Sequence, residues 1–327
     1  MAVKSKNPKT AIKNPDLRQY VFGQFHVPQM TDSGAGIAAG RICEYTSGSI
    51  KLGTEQNVLV EGITRTAIGA AAKGDVEFGF VPCMAGSPLA VGDRIAPRAS
   101  GYVGKAQVAQ DSLLDAEAGA SFAVQPSNDG VEIVSSSAAD VTQTVTLYGT
   151  LNGAATVLVT ETLTLTGVTQ VVSAHLDWGV IMGIRLSAAT VGNVTVREAS
   201  GNVTIKAITA GDLTAGISPA ATSNAYGLIP RHDQSDAGTA AVCVVGTGLD
   251  GAVINIIDTM NGTTEEDHGT TPFATVTEFY TGAVDSGVNI NFLTNEASDA
   301  SSYCGVALQA TSVSGVPVDC WLKPYWM

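Results

Sequence analysis

The feature that most constrains this chain is a repeat. QTVTLYGTLNGAATVLVTETLTLTGVTQVV, beginning at Gln143, aligns with AAVCVVGTGLDGAVINIIDTMNGTTEEDHG, beginning at Ala240. Gly149-Thr150 matches Gly246-Thr247, and Asn152-Gly153 matches Asp250-Gly251 after one inserted residue. Gly167, Trp178 and Gly192 match Gly262, Phe273 and Gly287, each 95 residues on. Self-similarity at this spacing means that one supersecondary unit is built twice. In the first copy Val157, Val159, Leu163 and Leu165 alternate with Leu158, Thr160, Thr162 and Thr164, the period-two pattern of a half-buried strand. Val203 and Ile205, then Val288, Ile290 and Phe292, then Val306 and Leu308, repeat it.

The expected fold class is therefore all-β. Charged residues are only 14% and aromatics 6%, while glycine reaches 36 of 327 residues, the composition of short strands joined by many turns. Residues 138–235 and 236–327 read as two β-sandwich repeats, with immunoglobulin-like and jelly-roll topologies both compatible. Between 31 and 137, short apolar runs alternate with glycine turns, as in a small β-barrel, and two Ala-rich pieces, 64–73 and 110–120, suggest a helical turn or two. SSSAADV, residues 135–141, reads as the small-polar linker between barrel and repeats. Residues 1–30 read as an extended arm. Two Asn-Pro steps disfavour helix there, and Lys4, Lys6, Lys9, Lys13 and Arg18 stand against Asp16 alone in a chain of formal charge −13.

AAGRICEYTSGS, then EGITRTAIGAAAKGDVEFGFVPC and SPLAVGDRIAPRASGYVGKA, resembles the small β-barrel of tailed-phage capsid cement, or head-decoration, proteins. The residues that carry the resemblance are Leu89–Ile95, AVGDRI in particular, and Ala70–Phe78, and it covers about a third of the chain. It implies a homotrimer on the capsid exterior that staples adjacent copies of the major capsid protein.

VVGTGLDGAV, residues 244–253, contains the glycine spacing of a dinucleotide-binding loop, with Glu265 placed where such folds keep a ribose-binding acid. The repeat argues against that reading. The first copy has GTLNGAAT at the same place, and AVINIIDTMNG, which follows Gly251, is a β-branched run and not a helix start that could present amides to a pyrophosphate. A hairpin turn is expected, with both residues of the Asn-Gly or Asp-Gly pair at positive φ. His26, His175, His232 and His268 are widely separated and form no HExxH pair, and there is no GxSxG elbow. No enzyme activity, cofactor or metal is expected. GTTEEDHG, 262–269, offers carboxylates to a hard cation but reads as a solvated loop, because the first copy has no acids there. Five scattered cysteines give neither a CxxC motif nor a disulfide framework.

An acidic body repels phosphates, so no nucleic-acid partner is expected, and no apolar run is long enough for a membrane helix. The expected function is that of a virion structural protein, made in the host cytoplasm and bound to the capsid exterior. The arm would hold the capsid through Lys4, Lys6, Lys9, Lys13 and Arg18 together with Tyr20, Val21, Phe22 and Phe25. In the last eight residues, CWLKPYWM, Trp321, Tyr325 and Trp326 would dock into their own domain or contact a neighbouring subunit. The alternative is a receptor-binding head-fibre or tail protein that recognises host-surface glycans.

Overall fold

A computed structural model describes residues 29–30, 36–46, 49–52, 60–64, 67–70, 72–74, 76–77, 79–106, 112–118, 122–219, 224–234, 239–261, 263–284, 289–294 and 304–322. The described chain is all-β, and its single helical element is the short 3-10 turn Ala99–Gly101. No helix among the described residues is long and apolar enough to cross a membrane. In chain order the strands open with β1 (Gln29–Met30), β2 (Ile42–Thr46), β3 (Ser49–Leu52), β4 (Val60–Thr64), β5 (Lys73–Gly74), β6 (Val76–Glu77) and β7 (Gly79–Met84). There follow β8 (Arg94–Pro97), β9 (Val103–Lys105), β10 (Ser112–Ala118), β11 (Val131–Ser135), β12 (Thr144–Leu151), β13 (Val159–Thr164), β14 (Val171–Val172) and β15 (Trp178–Leu186). Next come β16 (Val194–Glu198), β17 (Thr204–Ile208), β18 (Thr214–Ala215), β19 (Ile217–Pro219), β20 (Asn224–Leu228), β21 (Arg231–Gln234) and β22 (Thr239–Thr247). The last six are β23 (Val253–Asn261), β24 (Glu266–Asp267), β25 (Phe273–Tyr280), β26 (Asn289–Leu293), β27 (Gly305–Ala307) and β28 (Pro317–Leu322).

Two sandwiches occupy the middle of the chain, and their strand orders correspond. The first pairs sheets β13-β12-β15-β18 and β14-β11-β16-β17; the second pairs β23-β22-β25-β19, with β20 also on the β19 edge of β25, and β24-β21-β26-β10. The glycine matches explain themselves in this frame. The β12–β15 ladder shifts register at Tyr148/Gly149, and the β22–β25 ladder shifts at Val245/Gly246. At each shift a Cβ on the glycine would collide with a partner-strand carbonyl, that of Val180 or of Thr275. Trp178 and Phe273 begin the matching strands β15 and β25 and are fully buried. Inside the first sandwich lie Val131, Ile133, Val145, Leu147, Leu163 and Trp178, drawn from both sheets. Val157 does not join them; it precedes β13 and is 56% exposed, although Thr160, Thr162 and Thr164 do face solvent as the alternation predicts.

The outer faces of the two long sheets then pack on each other, making four layers. Tyr148 meets Tyr280 with ring centroids 4.8 Å apart, Met182 and Cys243 are buried between them, and Arg185 pairs with Glu278.

Three expectations need correcting. Within the stretch 110–120, the described residues Ser112–Ala118 are a strand and not a helical turn: β10 pairs with β26, its tertiary ladder outweighing a sequence whose Ala, Asp and Glu residues have low β propensity. The stretch 135–141 is not a linker. Ser135 closes β11, and the buried Asp140 carboxylate accepts from the Ser135 hydroxyl and from the backbone N–H groups of Val191 and Gly192. Nor is the chain cut into consecutive blocks at 137 and 235. β11 belongs to the first sandwich, β10 to the second, and β27–β28 leave the 236–327 segment to complete a sheet with β7, β8 and β9.

Among the described residues, the sheets of that N-terminal module do not join into one continuous closed barrel. Sheet β3-β2-β4-β6 and sheet β7-β28-β27-β8-β9 share a core that includes Ile42, Ile63, Val81, Ile95, Val318 and Leu322. The five-stranded sheet curls until one parallel bridge, Ala85 to Val103, links its edges. The AVGDRI segment forms a turn whose Asp93 carboxylate accepts from the Ala90 N–H at 2.8 Å, with Gly92 at φ +90°, before β8 starts. Arg98, fully buried, ties the module to the second sandwich by donating to the Tyr226 carbonyl at 3.2 Å, and it also donates to the Lys105 carbonyl.

Candidate functional site

The arm residues expected to hold a partner, Lys4, Lys6, Lys9, Lys13, Arg18, Tyr20, Val21, Phe22 and Phe25, lie outside the described residues, as do Tyr325 and Trp326. Trp321 is described. It stands in β28, opposite Phe80 on one side and Val306 on the other, on the outer face of the curled sheet. Phe80 is 44% exposed and Trp321 half-buried, so this strand end presents aromatic surface instead of sinking it into the core. The first and last described strands both pair within the N-terminal module: Gln29 with Gly74, and Leu322 with Gly79.

The 246–251 glycines form a hairpin turn between β22 and β23. Gly251 donates to the Gly248 carbonyl at 3.0 Å and Gly248 to the Ala252 carbonyl at 2.8 Å, and the chain runs on as strand. Only Gly251 (φ +83°) and, in the first copy, Gly153 (φ +81°) are left-handed; their Asp and Asn neighbours are not. The turns therefore differ from the expected pair of positive φ angles, the second having the form of a type I turn closed by a left-handed glycine. The loop serves as a joint. Leu249 is buried, the Ser314 hydroxyl donates to the Gly248 carbonyl at 3.0 Å, and a Cβ on Gly86 would approach both Leu249 and Tyr102.

A cluster that the sequence spacing conceals lies inside the second sandwich. His232 on β21 and His268 just after β24, 36 residues apart, put their Nδ1 atoms 3.2 Å from each other. One ligand atom each from His232, Asp258 and His268 lies within 4.8 Å of the other two. His268 Nε2 faces the Ile256 carbonyl at 3.1 Å, and Asp258 Oδ2 accepts from the Gly269 N–H at 2.8 Å. Phe292 packs edge-on against both imidazoles. Burial holds His268 down at about 4, opposed by the Ile256 carbonyl and reinforced by His232; burial also lowers His232, against Asp258 and Glu266. In the acidic loop, Glu265 and Asp267 are paired with Arg231, so the loop's carboxylates face a cation of the chain itself while His268 turns inward. Local pattern gave no warning of this, since the two histidines meet only through the β21–β24 pairing.

All five cysteines are buried. Burial pushes Cys243 and Cys304 up to about 12, and the Cys320 hydrogen bond followed by burial raises Cys83, so these thiols stay protonated and unreactive. No family model, curated protein or solved structure matches the chain.

Proposed function

We propose that the protein decorates the outer surface of a tailed-phage capsid as a homotrimeric cement protein, with the N-terminal module as its foot and the two sandwiches projecting outward. The observation that carries this reading is that both described ends of the chain are held by the N-terminal module. Gln29 pairs with Gly74 of β5 and Leu322 pairs with Gly79 of β7, in two different sheets but on partners five residues apart in sequence. Every candidate anchor is thus tethered to one module. Long-range attraction between the arm's cations and an acidic shell speeds encounter. Exposed ion pairs add only about 0–1 kcal/mol each, so Phe22 and Phe25, at roughly 1.5–3 kcal/mol each when buried, dominate retention.

The test strips particles of this protein and restores it. The full chain rebinds over the whole shell, a chain lacking residues 1–28 shows sharply reduced occupancy, and Phe22→Ala loses more than Lys9→Ala. Equal occupancy without the arm removes the proposed foot. Attachment only at a few fibre positions favours the second reading, glycan recognition, for which the exposed threonine face of β13 offers hydroxyls.

A further inference from the structure

The two sandwiches supply an internal control for the histidine cluster. Ladder partners fix which residues correspond. Val145 opposite Leu163 in the first matches Val242 opposite Asp258 in the second. Ile133 opposite Val171 matches His232 opposite Glu266. Ser173, donating its N–H to the Val131 carbonyl, matches His268, donating to Pro230. Ile133 and Leu163 are core residues of the first sandwich. The first copy therefore fills two of these places with apolar side chains and the third with Ser173, whose hydroxyl is hydrogen-bonded to backbone, whereas the second copy carries two imidazoles and a carboxylate.

We propose that His232, Asp258 and His268 bind one first-row divalent transition ion, zinc foremost, which clips the two sheets of the second sandwich together. Two nitrogens on a tetrahedral zinc, each at ~2.0–2.1 Å, sit roughly 3.3 Å apart. The imidazoles hold theirs 3.2 Å apart, with neither ring exposed beyond 2%. The Ile256 carbonyl fixes the His268 ring by accepting from Nε2, which leaves the Nδ1 lone pair for a ligand, and the Gly269 N–H orients Asp258. Two imidazoles with one carboxylate favour zinc and its neighbours over calcium or magnesium. β21 and His268 come from one sheet and Asp258 from the other, so the ion would bridge both layers.

The experiment loads the chelator-washed full-length chain with zinc, removes excess by gel filtration and counts bound metal. One zinc per chain is expected, with a rise in Tm that calcium and magnesium do not reproduce. Cobalt substitution should give the visible absorption of a tetrahedral site. His268→Gln and His232→Gln should each lose the metal. Because either could unsettle the core, the triple change His232→Ile, Asp258→Leu and His268→Ser, which installs the first sandwich's own residues, is the deciding variant: folded by circular dichroism and zinc-free. Wild-type chain that retains no zinc, or a triple variant that retains as much as wild type, overturns the proposal.

Discussion

The two sandwiches match in seven strands and differ in the source of the eighth, and the second adds β20 beside β25. In the first, β17 follows β16 directly and pairs with it as a hairpin; in the second, the same edge of β26 is filled by β10, which arrives from 112–118. One copy closes itself and the other borrows. The borrowed strand, with β27 and β28 returning to the N-terminal module, laces that module and the second sandwich together, while the first sandwich is built from the consecutive strands β11–β18. A repeat in sequence thus fixes strand order but not independence. Closing the long loop to β10 costs entropy that grows only slowly with length, so lacing is thermodynamically tolerable while making folding slower.

The largest expected effect tests whether the copies are built alike. Gly149→Val and Gly246→Val each drive a side chain into a partner-strand carbonyl, and each should cost upwards of about 3 kcal/mol by urea unfolding. Similar losses are expected at both sites; a tolerated valine at either would break the correspondence.

The borrowed strand comes next. Leu113, fully buried in the second core from β10, should lose about 2–3 kcal/mol on change to Ala, the low end for leucine because an edge strand can relax inward. Ile205→Val on β17 should cost less, about 0.5–1.5 kcal/mol. Limited proteolysis sharpens the contrast: Leu113→Ala should expose the neighbourhood of β10 to early cleavage, while Ile205→Val leaves β17 protected. Matching cleavage patterns would mean the borrowed edge is held as firmly as the hairpin.

What could be read in advance follows the same division. Period-two alternation and turn glycines are local, so the strand-rich class and the hairpin at Gly246–Gly251 are legible in the sequence. Pairings that join distant segments leave no mark in a window of ten residues. β10 looked helical because Ala and Asp avoid strands, and Ser135–Asp140 looked like a linker because small polar residues usually face water. Here their hydroxyl and carboxylate are buried and satisfied. The histidine cluster was hidden for a related reason. The two loops share no residues at these positions, and only the ladders reveal that Ile133 and Leu163 are the counterparts of His232 and Asp258.

The smallest effect concerns the Asp140 clamp, which belongs to the first sandwich. The Ser135 hydroxyl, and after it the Val191 and Gly192 N–H groups, hold this carboxyl below its ordinary range, while burial works against them. In the unfolded chain the group titrates near 3.9 and in the folded chain lower, so between the two values the unfolded state carries the extra proton. The clamp's contribution is therefore complete above the unfolded value and drains away as pH falls through the folded one. Asp140→Asn should lower Tm modestly at pH 7 and narrow the gap to wild type at pH 3. Ser135→Ala, which removes the strongest donor, should shift the acid decline of Tm to higher pH. A variant curve parallel to wild type over the whole range would mean that Asp140 acts only as packing, and the carboxylate would no longer distinguish the self-closed sandwich from the borrowed one.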